Sequence, residues 1–267
     1  MIKNMTIGQY FPADSFVHKL DPRTKLIITF ILIIFVFLIH SLPGYISMVA
    51  FLALTIAFSK ISFRLVLKSI RSIWFVIFIT FILNIFFLKG EEILFEWQFI
   101  SIYREGLIKA CEMAGRLVIL VIISSMLTYT TSAKEITDAI EILFGPLKKL
   151  RFPVHEMALM MSIALRFIPT LLEETDRIMK AQLARGADFE SGSIIRKAKN
   201  MIPLLVPLFI SAFRRANDLA MAMEARCYHG GNRTQMKPLR YTRLDLAAYL
   251  ILIIYLAIAI LFRIFGI

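Results

Sequence analysis

Cysteine is nearly absent from this chain. Two occur among 267 residues, Cys111 and Cys227, and neither belongs to a CxxC. That excludes a disulfide framework and a cysteine-based metal centre. Glycine (11) and proline (9) are sparse, which excludes collagenous and low-complexity chains. Acidic side chains are few, 19 against 31 Lys and Arg, for a net charge of +12. No GxxxxGK[ST] occurs, so the chain has no phosphate-cradling loop of its own for ATP. His155-Glu156 resembles the start of HExxH, but position 159 is Leu. There is no GxSxG, and His18, His40, His155 and His229 lack ligand spacing. The sequence therefore predicts no catalytic residue, no metal site and no cofactor. The first twenty residues, with Asp14, His18 and Lys19, do not read as a cleavable leader.

Apolar residues are what the chain has in abundance. They make up 58% of it, 23 of them Phe, and the mean hydropathy is +0.74. A soluble domain holds roughly 45–50% apolar residues, so the composition points to a helical membrane protein. The basic excess then reads as membrane-flanking charge facing lipid headgroups, not as a nucleic-acid surface.

Five apolar runs set the framework: Leu26 to Ile39, Gly44 to Phe58, Phe63 to Leu88, Leu107 to Tyr129 and Leu244 to Phe265. The first two are short and are joined by His40-Ser41-Leu42-Pro43, as in a tight hairpin across the bilayer. Basic residues orient the spans. Lys3, Lys19, Arg23 and Lys25 precede the first, and Lys60, Arg64, Lys68 and Arg71 lie between the second and third. The next loop is acidic, with Glu91, Glu92, Glu96 and Glu105 against Lys89 and Arg104. The N-terminus is thus expected in the cytoplasm. The chain divides into a membrane region with four spans (1–130), a cytoplasmic or interfacial region (131–243) and a C-terminal transmembrane helix (244–267). The fold class is all-α: a polytopic helical membrane protein with long cytoplasmic coupling helices.

The 131–243 region carries 18 basic and 11 acidic side chains. Ser132-Ala133-Lys134-Glu135 is a capping box, opening a short amphipathic helix that stops at Gly145-Pro146. A second helix is predicted from Val154 to Arg185, ending at Gly186. A third is predicted from Met201 to Tyr228, ending at Gly230-Gly231. Each has an apolar first half too short to span and a charged second half, so each starts at membrane depth or along the interface. Pro169, Pro203 and Pro207 bend or start helices there. The alternative is two more spans, which Arg166 and Pro169 oppose.

An internal repeat lies in these helices. At an offset of 41 residues, Ala181-x-x-Ala184-Arg185-Gly186 echoes Ala222-x-x-Ala225-Arg226-Cys227. A single arginine in a last helical turn complements the helix dipole and needs no further role. Two Ala-Ala-Arg tips suggest more. Small residues let a tip enter a groove, and arginine supplies a multi-donor anchor for a buried carboxylate. Two similar tips suit two similar sockets, such as the halves of a pseudo-symmetric ATPase dimer. The same offset sets Glu173 and Glu174 against Arg214 and Arg215, and Arg177 against Asp218. Either the two helices cross and pair through these charges, or the charges pair within each helix or with lipid.

These residues, with His18-Lys19-Leu20-Asp21-Pro22-Arg23-Thr24-Lys25-Leu26 and Leu165-Arg166-Phe167-Ile168-Pro169, give the chain its resemblance to the T component of energy-coupling factor (ECF) transporters. The resemblance covers nearly the whole chain. The family's paired Ala-Arg-Gly motifs map to Ala184-Arg185-Gly186 and Ala225-Arg226-Cys227, the second with Cys in place of Gly. It implies a non-enzymatic coupling subunit of an ATP-driven importer of vitamins or transition-metal ions. It implies two homologous cytosolic ABC ATPases docked on the motif-bearing helices, and one or more substrate-capturing S components in the bilayer. Methionines 157, 160, 161, 221 and 223 then offer an adaptable apolar surface, against a plain packing role for any one of them. An intramembrane enzyme would need convergent ligands at membrane depth, which are lacking. A self-sufficient transporter would carry its repeat in the spans, not in helix tips.

Overall fold

The computed structural model describes residues 10–39, 41–88, 92–97, 100–189, 193–230 and 239–264. Lys3, His40, Lys89, Glu91 and Gly231, used above, lie outside them. Among the described residues the protein is all-α apart from one small hairpin. Its elements are α1 (Pro22–Leu38), α2 (Leu42–Ser59), α3 (Phe63–Phe87), β1 (Ile93–Trp97), β2 (Ile100–Tyr103), α4 (Arg104–Thr130), α5 (Ala133–Leu143), α6 (Val154–Ala184), α7 (Ile194–Asn200), α8 (Ile202–Ala225) and α9 (Arg243–Ile264). A 3-10 turn, Gly145–Leu150, follows α5. The antiparallel β1–β2 pair departs from an all-helical reading, and it sits in the acidic loop between α3 and α4.

Among the described residues, four helices are long and apolar enough to cross a membrane: Phe63–Phe87, Arg104–Thr130, Val154–Ala184 and the Arg243–Leu261 part of α9. The first two predicted spans form shorter helices, of 17 and 18 residues. For the helix predicted from Val154 to Arg185, the expectation of an apolar part too short to span is corrected. α6 is one helix of 31 residues that continues through Pro169, so its apolar half does not stand alone.

The chain divides into two compact units. One is Gly8–Ala139 with Leu239–Ile267; the other contains Ile140–Pro238. In the first unit, α1, α2, α4 and α9 share a hydrophobic cluster that includes Val36, Met48, Ile119, Ile123 and Leu252. Tyr255 joins it, stacked on Phe51 with ring centroids 4.4 Å apart. A smaller cluster of Ile61, Val66, Met126 and Tyr129 ties α3 to the C-terminal part of α4. Tyr129 anchors that contact further, its hydroxyl lying 2.6 Å from the Ser69 hydroxyl. In the second unit only Val154, Ala158 and Leu204 are buried among the described hydrophobic residues. Its two long helices are therefore mostly surface.

Candidate functional site

Both repeat motifs fold into the same helix end. α6 stops at Ala184, and Arg185 is its C-cap with φ −89° and ψ 8°. α8 stops at Ala225, and Arg226 is its C-cap with φ −94° and ψ 17°. The next residue is left-handed in each case, Gly186 at φ +84° and Cys227 at φ +57°. The Gly186 amide donates to the Leu183 carbonyl (3.0 Å) and the Ala187 amide to Gln182 (3.0 Å). Forty-one positions on, Cys227 donates to Glu224 (2.8 Å) and Tyr228 to Met223 (3.0 Å). Each set is a Schellman closure, which satisfies the last free carbonyls of a helix. The expectation that α8 ends at Gly230-Gly231 is thus corrected: the helix closes three residues earlier, at Cys227, because that amide already meets the terminal carbonyls.

The closures hold both arginines on open surface. Ala181, Ala184, Arg185 and Gly186 are exposed, as are Ala222, Ala225, Arg226 and Cys227. Neither Arg185 nor Arg226 forms an ion pair among the described residues. A helix C-terminus carries partial negative charge, and an arginine beside it leaves its guanidinium free to reach outward.

Of the six predicted crossing charges, the structure joins two. Arg215 donates from Nη2 to Glu174 Oε2 at 2.8 Å, with both side chains partly buried. Glu173, Arg177, Arg214 and Asp218 are exposed, and no ion pair joins them among the described residues. Asp176, two residues beyond Glu174, pairs with Lys180 one turn on (2.7 Å). Glu174 and Arg215 are equivalent under the 41-residue offset, so two repeats meet at matching positions, as a local two-fold axis requires. A cavity of about 260 Å³ adjoins the pair, lined from α6 by Phe167 and Leu171 and from α8 by Ala212, Ala216 and Leu219. The α6 lining precedes Glu174, whereas the α8 lining runs beyond Arg215. Asn200, just before α8, donates to the Asp188 carbonyl just after the α6 tip (2.6 Å). The helices therefore run past each other in opposite directions. Each tip arginine lies 11 residues beyond the crossing. At 1.5 Å per residue that is about 16 Å, which puts the tips up to about 33 Å apart on opposite sides of it.

His155, the residue that began an incomplete HExxH, pairs through Nδ1 with Glu141 Oε1 at 2.7 Å.

In the first unit, sequence reasoning passed over a buried polar knot. Asp245 in α9 accepts from the Asp21 amide (2.7 Å), the Thr242 amide (2.7 Å) and the Thr242 hydroxyl (2.7 Å). Asp21 binds the Arg23 guanidinium at 2.8 and 3.0 Å, and that guanidinium lies 4.0 Å above the Tyr241 ring. Lys25 Nζ donates to the His18 carbonyl (3.0 Å) and the Thr130 carbonyl (2.9 Å). The Asp21-Pro22-Arg23-Thr24-Lys25 string thereby pins the start of α1 to the end of α4 and the start of α9. Thr242-x-x-Asp245 is a capping-box pattern and was the available sequence signal.

The comparisons with known proteins agree with one another. The sequence model of the CbiQ family, described as cobalt transport protein, matches residues 13–238. A Clostridium kluyveri protein is 55% identical over 99% of this chain and 98% of its own length. One from Ruminiclostridium cellulolyticum is 53% identical over 98% of each. One from Bacillus subtilis is 46% identical over 98% of this chain and all of its own length. Each of the three is named energy-coupling factor transporter transmembrane protein EcfT. On that extent of identity the chain belongs to the EcfT family, the transmembrane components of energy-coupling factor transporters.

Proposed function

We propose that this T component is the non-catalytic coupling subunit of an ATP-driven importer. Its two helix tips dock on two homologous cytosolic ABC ATPases, which supply the hydrolysis. Its membrane unit holds a substrate-capturing S component that delivers a vitamin or a transition-metal ion. Ala184-Arg185-Gly186 and Ala225-Arg226-Cys227 are the docking motifs, and the N-terminus faces the cytoplasm with the tips.

The observation that carries this reading is the pair of matching Arg-bearing ends, 11 residues to either side of one ion pair. Two like sockets on a pseudo-symmetric partner call for two like plugs at a set spacing. Rigid helices keep that spacing while the sockets move. When the ATPase halves open and close, the tips are displaced and the crossing transmits that displacement towards the membrane unit. The exposed apolar first halves of α6 and α8, among them Met160, Phe209 and Phe213, supply surface for lipid or for the S component.

Co-purification of the two ATPases with wild type, Arg185→Glu, Arg226→Glu and the double variant tests the docking. Each single variant should weaken the complex and the double should abolish it, with membrane insertion unchanged. Equal recovery in all four would mean that the arginines only cap their helices.

A further inference from the structure

Arg116 lies inside α4, 14 residues before the Thr130 end that Lys25 holds. Its depth follows from the contacts at one end of the helix. Lys25 of α1 bonds Thr130 at the end of α4, so these two ends are level. Fourteen residues separate Thr130 from Arg116, and fourteen separate Lys25 from Ile39. Both spans are about 21 Å, against a hydrocarbon core of about 30 Å. Arg116 therefore meets the far end of α1 at a distance from the Lys25–Thr130 level that is shorter than the hydrocarbon thickness. A charge at such a depth is costly and marks a site by default.

Its partners are all neutral. Nη2 donates to the Ile39 carbonyl (3.3 Å) and to the Tyr45 hydroxyl (3.1 Å), and Nη1 approaches the Met113 sulfur at 3.8 Å. The guanidinium lies 5.7 Å from the centre of the Phe37 ring. Nε is buried and has no hydrogen-bond partner, and no carboxylate forms an ion pair with the group, among the described residues. Beside it runs an apolar groove of about 780 Å³ between α2, α3 and α4. Tyr45 belongs to both, its hydroxyl on Arg116 and its ring on the groove wall. Glu112, one turn before Arg116, also lines the groove. Gly115 stands between them, and a Cβ built there meets nothing within 4 Å.

We propose that Arg116 and this groove bind a membrane phospholipid, with its phosphodiester on the guanidinium and an acyl chain in the groove. The chemistry is complementary at each end. A phosphate supplies the single negative charge and the acceptor oxygens that the arginine lacks, and arginine forks suit phosphate. An acyl chain matches the apolar walls. The short α1–α2 hairpin brings the ligand within reach, because helices shorter than the hydrocarbon thickness draw headgroups down towards their ends. Glu112 disfavours a second negative charge, so a monoanionic phosphodiester is accepted over a phosphomonoester or a multiply charged headgroup.

Native mass spectrometry of the full-length protein tests this, after exchange into detergent with phosphatidylglycerol, phosphatidylethanolamine, phosphatidic acid or diacylglycerol. Wild type should retain one phosphodiester lipid, phosphatidic acid at least fivefold less, and diacylglycerol not at all. Arg116→Gln should lower phospholipid retention at least tenfold, and Arg116→Lys should restore part of it. If Arg116→Gln fails to fold, Gly115→Leu fills the groove from the α4 wall and leaves the arginine in place. It should lose the lipid while keeping wild-type thermal unfolding. Equal retention by wild type and both variants, or equal binding of diacylglycerol, overturns the proposal. So does loss of a membrane-embedded protein partner with lipid retention unchanged, which would make the groove a seat for another helix.

Discussion

The α6 and α8 tips differ at one backbone-critical residue and close in the same way. Arg185 and Arg226 have cap dihedrals within about ten degrees of each other, and the residues after them are both left-handed. Glycine takes that conformation without a Cβ clash, whereas cysteine takes it at a cost of roughly 1–2 kcal/mol. The cost is accepted at Cys227 because two amide-to-carbonyl bonds depend on it. Helix closure thus comes from the unsatisfied carbonyls of the last turn, and glycine makes it cheaper without being required for it.

Charge reversal should separate the tips most sharply. Arg185→Glu and Arg226→Glu should each cost about 2–5 kcal/mol in ATPase docking, by titration of the complex. Equal losses would make the sockets energetically alike; unequal ones would show that cysteine for glycine changes more than the helix end. Asp245→Ala is the contrasting change, in the other unit. It strips the acceptor from the Asp21 and Thr242 donors and should lower folding stability by about 3 kcal/mol, by denaturant titration. Gly186→Val places a branched side chain at φ +84° and should destabilise the α6 tip by about 1–2 kcal/mol. Cys227→Gly should stabilise the α8 tip by about 1 kcal/mol. Hydrogen exchange at the amides of residues 186 and 227 reads both, and a shift of the same sign would break the equivalence of the closures. The smallest effect belongs to the crossing. Glu174→Gln should cost no more than about 1 kcal/mol, since the pair is partly solvated. The exchange Glu174→Arg with Arg215→Glu should recover what either single reversal loses in a double-mutant cycle.

The long apolar runs, the Ser132 capping box and the Gly186 stop were legible because each is a local pattern read along one helix. Ser132 and Glu135 do exchange their bonds, at 2.9 and 3.3 Å. Two local features were misjudged. The β1–β2 hairpin is short, and Ile93-Leu94-Phe95-Glu96-Trp97 lacks the strict alternation that marks a strand. The end of α8 points to Gly230-Gly231 in sequence because glycine is the commonest left-handed residue, although the backbone turns at Cys227.

Sequence by itself determined that this is a polytopic helical membrane protein, with two Arg-tipped helices carrying a 41-residue repeat. Helical period, apolar run length and capping depend on neighbours a few residues apart, and these lie next to one another in the chain. Only the tertiary structure decided that Glu174 meets Arg215 while Arg177 and Asp218 form no ion pair among the described residues. It alone decided that Asp21 shares a knot with Asp245, 224 residues away, and that Arg116 faces neutral partners beside an apolar groove. Such contacts depend on which helix faces pack together, and that choice is made by the cores of the units, beyond the reach of any local pattern.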